Sequence, residues 1–375
     1  MIRLNRIKNF MVTALVFVLL CSLVTGCGSR EISEKNTGSV ETSQQRSGER
    51  VITDHAGRTV KIPAEVDKVY FTSPIAQIMV YTLAPEKMAG WTMQLTDKMK
   101  KYIPPQYQEL PYLGGQQMSA KLNIEEILRV KPDVIFSVGP DPISDTTKSE
   151  ADKLQQQLNI PVVVVDGDIN STEKAYAFLG QILGVEDRAK KLIDYCNRTM
   201  KDVVEKTKSI PKEKRVRVYY AEGPEGLATE PKGSSHAILL DIVNAENVAE
   251  VQQKGGSGMS NVSLEQVLKW NPDVILTWST DRGGACNKIL TSPDWKNIKA
   301  VKNGKVYEIP NYPFNWFDRP PSVNRFLGLK WLAAILYPDV YQVNLVKEVK
   351  EFYKLFYHVD LTDDDVKELL KDAGF

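Results

Sequence analysis

Histidine and cysteine are scarce: three histidines and four cysteines stand among 375 residues. No CxxC pair occurs, which argues against a zinc ribbon or a thioredoxin-type site. His55, His236 and His358 are too few and too dispersed for a histidine-rich cage holding free Zn²⁺ or Mn²⁺, and they leave little choice of catalytic base. HExxH, a P-loop and GxGxxG after a strand are all missing, and Gly255-Gly-Ser-Gly-Met259 fails the G-x-S-x-G elbow at its last position. The expectation is therefore that the protein is not an enzyme. An excess of charge is also missing. With Lys+Arg 48 against Asp+Glu 47, the net charge of +1 gives no general attraction to polyanions, so no nucleic-acid partner is expected. What remains, 42% hydrophobic and 25% charged residues, is ordinary for a globular protein. The length exceeds what one core usually fills, so two lobes are expected.

One long apolar run is present. Arg3, Arg6 and Lys8 precede Phe10 to Val24, a stretch the length of a signal-peptide core and too short to span a bilayer comfortably. It ends at Val24-Thr25-Gly26-Cys27, which resembles a bacterial lipobox. Residues 1–26 read as a lipoprotein signal peptide. Cys27 reads as the lipidated (palmitate-bearing) N-terminus, holding the protein on the extracytoplasmic face of the cell membrane. The bland alternative is a soluble secreted protein with an incidental Cys27. Residues 27–50 then form the lipidated cysteine and a disordered tether, poor in aliphatic residues and on the order of 25 Å long as a coil. Only Cys196 and Cys286 remain for the body. A disulfide between them is chemically open outside the cytoplasm, and free thiols are the expectation.

The strongest internal signal is a repeat. Asn123-Ile-Glu-Glu-Ile-Leu-Arg-Val-Lys-Pro-Asp-Val-Ile-Phe136 and Ser263-Leu-Glu-Gln-Val-Leu-Lys-Trp-Asn-Pro-Asp-Val-Ile-Leu276 share six of fourteen positions at an offset of 140. Asn123 with Glu126, and Ser263 with Gln266, have the spacing of a capping box. The stripe Ile124, Ile127, Leu128 and its counterpart Leu264, Val267, Leu268 predict a buried helix face. Pro132 and Pro272 stop each helix, and Asp-Val-Ile opens a buried strand. Two copies imply α/β architecture in two similar lobes, 51–170 and 211–375. Between them, 171–210 predicts one long connecting helix with a break or kink at Gly184. Val216-Arg-Val-Tyr-Tyr220 opens the second lobe as a strand.

Ile52-Thr-Asp-His-Ala-Gly-Arg-Thr-Val-Lys-Ile-Pro63, Lys68-Val-Tyr-Phe-Thr-Ser-Pro74, both repeats and the connecting segment resemble the substrate-binding lipoproteins of ABC importers for iron complexes, a group that includes receptors for ferric siderophores, haem and vitamin B12 and some for molybdate. The resemblance spans about residues 50 to 375. It implies two α/β lobes on a rigid connecting helix, a ligand cleft between them, and a permease and ATPase as partners. It also implies one docking acid per lobe, which residue matching puts at Glu125 and Glu246. A monomer is expected, with no cofactor beyond a bound small-molecule metal chelate.

Ligand contacts are expected on loops after strands, where a parallel sheet exposes amides and helix N-termini. In the first lobe this selects Thr72, Ser73 and Pro74, then Gly114 to Met118, then Gly139 to Asp141. Ser73 reads at least as well as a helix cap, and can do both, while Met118 reads more readily as packing than as a ligand. In the second lobe it selects Tyr220, His236 and Trp278, together with Trp316 and Arg319 of Tyr312-Pro-Phe-Asn-Trp-Phe-Asp-Arg-Pro-Pro-Ser322. His236 is expected in the first turn of a helix, where the dipole favours neutral imidazole. Trp278, Trp316 and Phe317 would line a wide cleft, and Arg319 would meet an anionic chelate or pair with Asp318. An iron complex is the first expectation, with His236 and Met118 as metal ligands only if the cargo is haem. An oxyanion such as molybdate or tungstate, or cobalamin, is the alternative.

Overall fold

The computed structural model describes residues 48–115, 122–252 and 259–375. The signal peptide, Cys27, most of the tether and Met118 lie outside the described residues. None of the described helices is long and apolar enough to cross a membrane.

An antiparallel hairpin, β1 (Glu49–Thr53) with β2 (Thr59–Pro63), opens the chain. Glu49 and Arg50, assigned above to the tether, are therefore strand residues. Arg50 is fastened by donating to the carbonyls of Gln181 (3.1 Å) and Ile182 (2.5 Å). Three parallel strands follow, β3 (Val69–Phe71), β4 (Val134–Gly139) and β5 (Val162–Asp166), in the order 3-4-5. A second parallel sheet contains β6 (Arg217–Ala221), β8 (Glu246–Asn247), β10 (Val274–Thr277) and β11 (Val306–Glu308), in the order 11-10-6-8. A short ladder of β7 (Ala228–Thr229) with β9 (Ser260–Asn261) lies beside it.

Both sheets read as near-continuous β-branched and aromatic runs because both faces are covered. Val134, Phe136, Val163 and Val165 face the main core, while Ile135, Val162 and Val164 pack on the opposite side with Ala151 and Leu158 of the helix Asp145–Leu158. In the second sheet Tyr220, Val274 and Leu276 join the same main core, and Tyr219 and Ile275 face outward onto a separate cluster. One core thus runs through both lobes.

The segment 171–210 is two helices, Thr172–Leu183 and Glu186–Thr207, rather than one continuous helix, and the break falls at Gly184, where the sequence suggested it. Gly184 caps the first in the left-handed region (φ 68°), which a glycine tolerates without the Cβ penalty. The second carries Leu192, Tyr195, Cys196 and Val203 on its buried face. The C-terminal region does not stay within the second lobe. Tyr81, on the first-lobe helix Pro74–Leu83, donates to the Tyr357 carbonyl (2.9 Å) and receives a bond from His358 Nε2 at its own carbonyl (3.1 Å). Arg188 bonds the carbonyls of Thr82 (3.0 Å) and Leu355. These contacts strap the first lobe to the chain's last hundred residues.

The repeat units form as expected at their ends. Asn123 accepts from the Glu126 amide (3.2 Å), and Ser263 and Gln266 make a complete capping box at Leu264–Trp270. Glu126 does not complete the first box because Arg129 takes its carboxylate (2.7 Å). Lys131 and Asn271 terminate the helices with left-handed backbones (φ 49° and 45°). Each helix therefore turns back within three residues into its strand, and its N-terminus lies toward the strand's carboxyl end. Ile127 and Val267 are fully buried, but Leu128 and Leu268 are 45% and 36% exposed, against the expectation of a buried stripe.

Candidate functional site

The carboxyl ends of the two sheets carry different chemistry. At the first, Ser73 is the N-cap of Pro74–Leu83: its hydroxyl accepts from the Ala76 amide (3.3 Å) and donates to the Val138 carbonyl (2.7 Å), tying the helix to the end of β4. Asp141, in the loop after β4, accepts from Ser235 of the second lobe (3.0 Å), so two strand-end loops meet.

At the second sheet the end of β6 leads into a buried charged cluster. Glu222, Glu230, Asp318, Arg319 and Arg325 are all buried. Arg319 contacts Glu222 (3.0 Å), Glu230 and Asp318 (3.3 Å). Arg325 reaches Asp318 (3.3 Å) and donates to the carbonyls of Phe317 (3.1 Å) and Ser235 (2.9 Å). His236 Nδ1 lies 2.7 Å from Asp318 Oδ1. A carboxylate only accepts, so Nδ1 carries the proton and points Nε2 away from the cluster. Burial alone would lower the His236 pKa, but the bond to Asp318 and that group's charge outweigh it and raise the imidazole above its usual value. The downward pull expected from a helix dipole is therefore outweighed, and the direction of the shift is the reverse of the one expected. His236 sits in the short 3₁₀ turn Ser235–Ala237, before a five-residue helix, and its strongest neighbour is a carboxylate. Asp318 stays low, because His236, Arg325 and Arg319 together overcome its burial. Burial pushes Glu222 up to about 7 despite Arg319, and raises Glu230 as well.

Three further expectations change. Trp316 is fully buried, with Gly328 so close beneath it that a Cβ there would fall 1.8 Å from the Trp316 carbonyl oxygen. It is a core residue, as is Phe317, so neither lines a cleft. Tyr220 is also buried, and its hydroxyl accepts from Trp278 Nε1 (2.8 Å). It supports Trp278, which remains half-buried with the Arg282 guanidinium 4.9 Å from its ring centre. Ser322 caps nothing: the helix Asn324–Leu336 starts from Val323, and Ser322 donates to the Ile75 carbonyl (3.3 Å). Glu246 pairs with Arg217 (3.5 Å) opposite the first residue of β6. That is the amino edge of the sheet, away from the strand ends.

Sequence reasoning missed the buried or strand-end charges Glu222, Glu230, Arg282 and Arg325. Glu222 directly follows a strand, so the rule that selected Trp278 also selects it. Arg325 gives no signal, being one of two cations, with Lys330, inside an otherwise largely apolar helix.

Glu230, His236 and Asp318 could each offer one ligand atom to a cation, all within 4.8 Å of one another. The Arg319 guanidinium already holds Glu230 and Asp318, so a cation there would face a buried positive charge. The three histidines stay apart: His55 accepts from the Asp166 amide (3.0 Å) and stacks on Phe178 (4.7 Å), and His358 lies against Tyr81. Cys196 and Cys286 are free and buried.

Two spaces border the lobes. Where the 166–168 loop meets 321–325 a cavity of only about 10 Å³ remains, water-sized. A cavity of about 900 Å³ lies between 97–102 and the ends of β10 and β11. Its acidic side chains, among them Asp281, Glu308 and Asp372, outnumber its ammonium groups. Lys98 is paired with Asp281 (2.5 Å), and Lys101 with Glu368 (2.7 Å).

The family model described as periplasmic binding protein matches residues 43–313. The molybdate-binding protein MolA of Haemophilus influenzae is 31% identical over 346 residues, covering 84% of this chain and 93% of that protein. Its molybdate-bound structure superposes with a TM-score of 0.68 at 27% identity, over 84% of this chain and 99% of that one. The high-affinity haem uptake protein IsdE of Staphylococcus aureus is 28% identical over 221 residues, covering 57% of this chain and 71% of that protein. An ABC transporter solute-binding protein from Sulfurospirillum deleyianum superposes with a TM-score of 0.79 at 31% identity, over 86% of this chain and 99% of that one. These relatives are binding proteins and not enzymes. The chain thus belongs to the periplasmic binding protein family, as an extracytoplasmic substrate-binding protein of the ABC-transporter type.

Proposed function

We propose that the cargo is a small oxyanion of the molybdate class, held at the second-lobe strand ends. The observation that carries this reading is the His236–Asp318 pair: the buried carboxylate accepts the hydrogen bond from Nδ1–H, favours the protonated ring and turns Nε2 outward, where the protonated form offers a charge-assisted donor. A small anion needs a few such donors and little volume. The similarity to MolA over nearly its whole length supports the same cargo. Arg319, saturated by carboxylates, acts in this reading as the counter-charge of the cluster rather than as a ligand contact. Calorimetric titration with molybdate, tungstate and sulfate, alongside the absorption spectrum with haem and a ferric chelate, tests the proposal. Tight molybdate or tungstate binding is expected. A Soret band or ferric-chelate colour with no oxyanion affinity would overturn it.

A second reading, an iron complex, is favoured by the cavity of about 900 Å³, a volume suited to a chelate. Its surplus of carboxylates opposes an anionic chelate, which is why the oxyanion stands first. Cys27 is proposed as the lipidated N-terminus, and Cys27→Ala is expected to leave unprocessed or soluble protein. Retention of the variant as a mature lipoprotein would contradict this.

A further inference from the structure

The cavity of about 900 Å³ between residues 97–102 and the ends of β10 and β11 is separate from the buried charged cluster: none of Glu222, Glu230, His236, Asp318, Arg319 and Arg325 lines it. Its wall shows how it treats an ammonium group. Lys98 Nζ lies 2.5 Å from Asp281 and 5.9 Å from the centre of the Tyr312 ring, whose hydroxyl also donates to Asp281 (2.7 Å). Lys101 Nζ lies 2.7 Å from Glu368 and 5.6 Å from the centre of the Tyr102 ring. Each of these two cations is thus held by a carboxylate and a tyrosine ring, the two groups that attract a cation at a partly dry surface. The pairs leave an excess of acid. Among the described residues Asp97, Glu308 and Asp372 of the same lining make no ion pair, against Lys371 alone among its ammonium groups. Glu308 keeps a hydrogen bond from the Thr280 hydroxyl. Ser279, at the end of β10, also lines the cavity. It is 8% exposed, and its hydroxyl finds no hydrogen-bond partner among the described residues, although it stands at the N-cap of the 3₁₀ turn Thr280–Arg282. A buried hydroxyl in this state costs stability, so a polar group brought by an occupant gains at that point. The mouth is apolar: Leu290 and Phe375, which both belong to the lining, are 43% and 58% exposed.

We propose that this cavity is a second binding site, for an aliphatic di- or polyamine, distinct from the oxyanion site. The unpaired carboxylates come from three segments: the helix Asp97–Lys100, β11, and the turn after the helix Asp363–Leu370. They surround a space of small-molecule size, which suits ammonium groups spaced along a chain. Tyr307, Tyr312 and Leu290 give the methylenes between those groups an apolar surface, as they would the stem of a lysine. A compact metal ion fits less well. Among the described residues the one cluster of three ligand atoms within 4.8 Å is Glu230, His236 and Asp318, so the carboxylates of this cavity do not converge on a single ion. A metal ion would also leave the apolar mouth unused. An anionic ligand meets a surplus of its own charge.

The test uses the full-length protein in detergent, with spermidine as the probe. It is titrated by calorimetry with and without molybdate, and Mg²⁺ and a ferric chelate serve as comparators. A single spermidine per chain is expected, unaffected by molybdate and about tenfold or more tighter than Mg²⁺. Glu308→Gln with Asp372→Asn should weaken spermidine by about tenfold or more while molybdate affinity stays unchanged. Asp372→Asn alone, at an exposed position, should weaken spermidine severalfold with unchanged melting, which keeps the test decisive if the double variant folds poorly. Glu150→Gln, an exposed acid on the helix Asp145–Leu158, should change nothing. Equal binding of Mg²⁺ and spermidine, or spermidine binding that the variants leave intact, would reveal only a diffuse acidic surface and overturn the proposal. Displacement of spermidine by the ferric chelate would assign the cavity to the cargo and overturn it as well. Failure of the oxyanion reading appears separately, as absent molybdate binding beside intact spermidine binding in the wild-type protein.

Discussion

The two lobes are built from the same helix–turn–strand unit, yet their strand ends differ. The first offers a capping serine and polar loops: Ser73 closes a helix onto β4, and Asp141 reaches across to Ser235. The second buries three carboxylates and two guanidinium groups around one imidazole. A repeated scaffold therefore does not repeat its chemistry. The element that recurs, helix 124–130 and helix 264–270, lies on the outside and keeps its surface residues in register. The strand ends have diverged and differ in charge. In the oxyanion reading proposed above, the second lobe selects the ligand and the first positions it.

This asymmetry can be broken from either side. The largest effect is expected from Asp318→Ala, which leaves Arg325 and Arg319 without their shared partner; loss of one member of a buried ion network costs about 3–5 kcal/mol, read by denaturant unfolding. Trp316→Ala should also destabilise by about 3–5 kcal/mol as a core truncation. Its ligand affinity in the folded fraction should be little changed, whereas a cleft-lining tryptophan would show the reverse pattern. The smallest effect is expected from Ser73→Ala. Loss of an N-cap costs about 1 kcal/mol in stability, with ligand affinity nearly intact if the first lobe only positions.

Much of the scaffold was legible because its signals are local. Capping spacing, proline stops and β-branched runs each act over a few residues, so both repeat units and their strands could be read directly. The site was legible only in part. His236, Trp278 and Asp318 stand near strand ends as the strand-edge rule requires, but their protonation and burial depend on partners far along the chain, such as Asp318 for His236. Trp316 misled because an aromatic before a helix reads alike as cleft wall or core plug, and only the close approach of Gly328 decides between them. The exposure of Leu128 and Leu268 is invisible to periodicity, since an apolar stripe has the same pattern whether another part of the fold covers it or a partner does.

The pH dependence of anion binding tests the charged-histidine claim most directly. The folded-state pKa of His236 is raised above 6.5, so the protonated donor is fully present below that value and is lost as pH rises through the raised pKa. Glu222, pushed from 4.5 to about 7, ionises in the same range and adds negative charge to the cluster, which acts in the same direction. Molybdate affinity, measured by calorimetry from about pH 5.5 to 9, should therefore fall with rising pH in the wild-type protein. His236→Gln should be weaker by about 1.5–3 kcal/mol at low pH and show a shallower slope. A wild-type affinity that does not vary with pH, together with an unimpaired His236→Gln, would contradict the account.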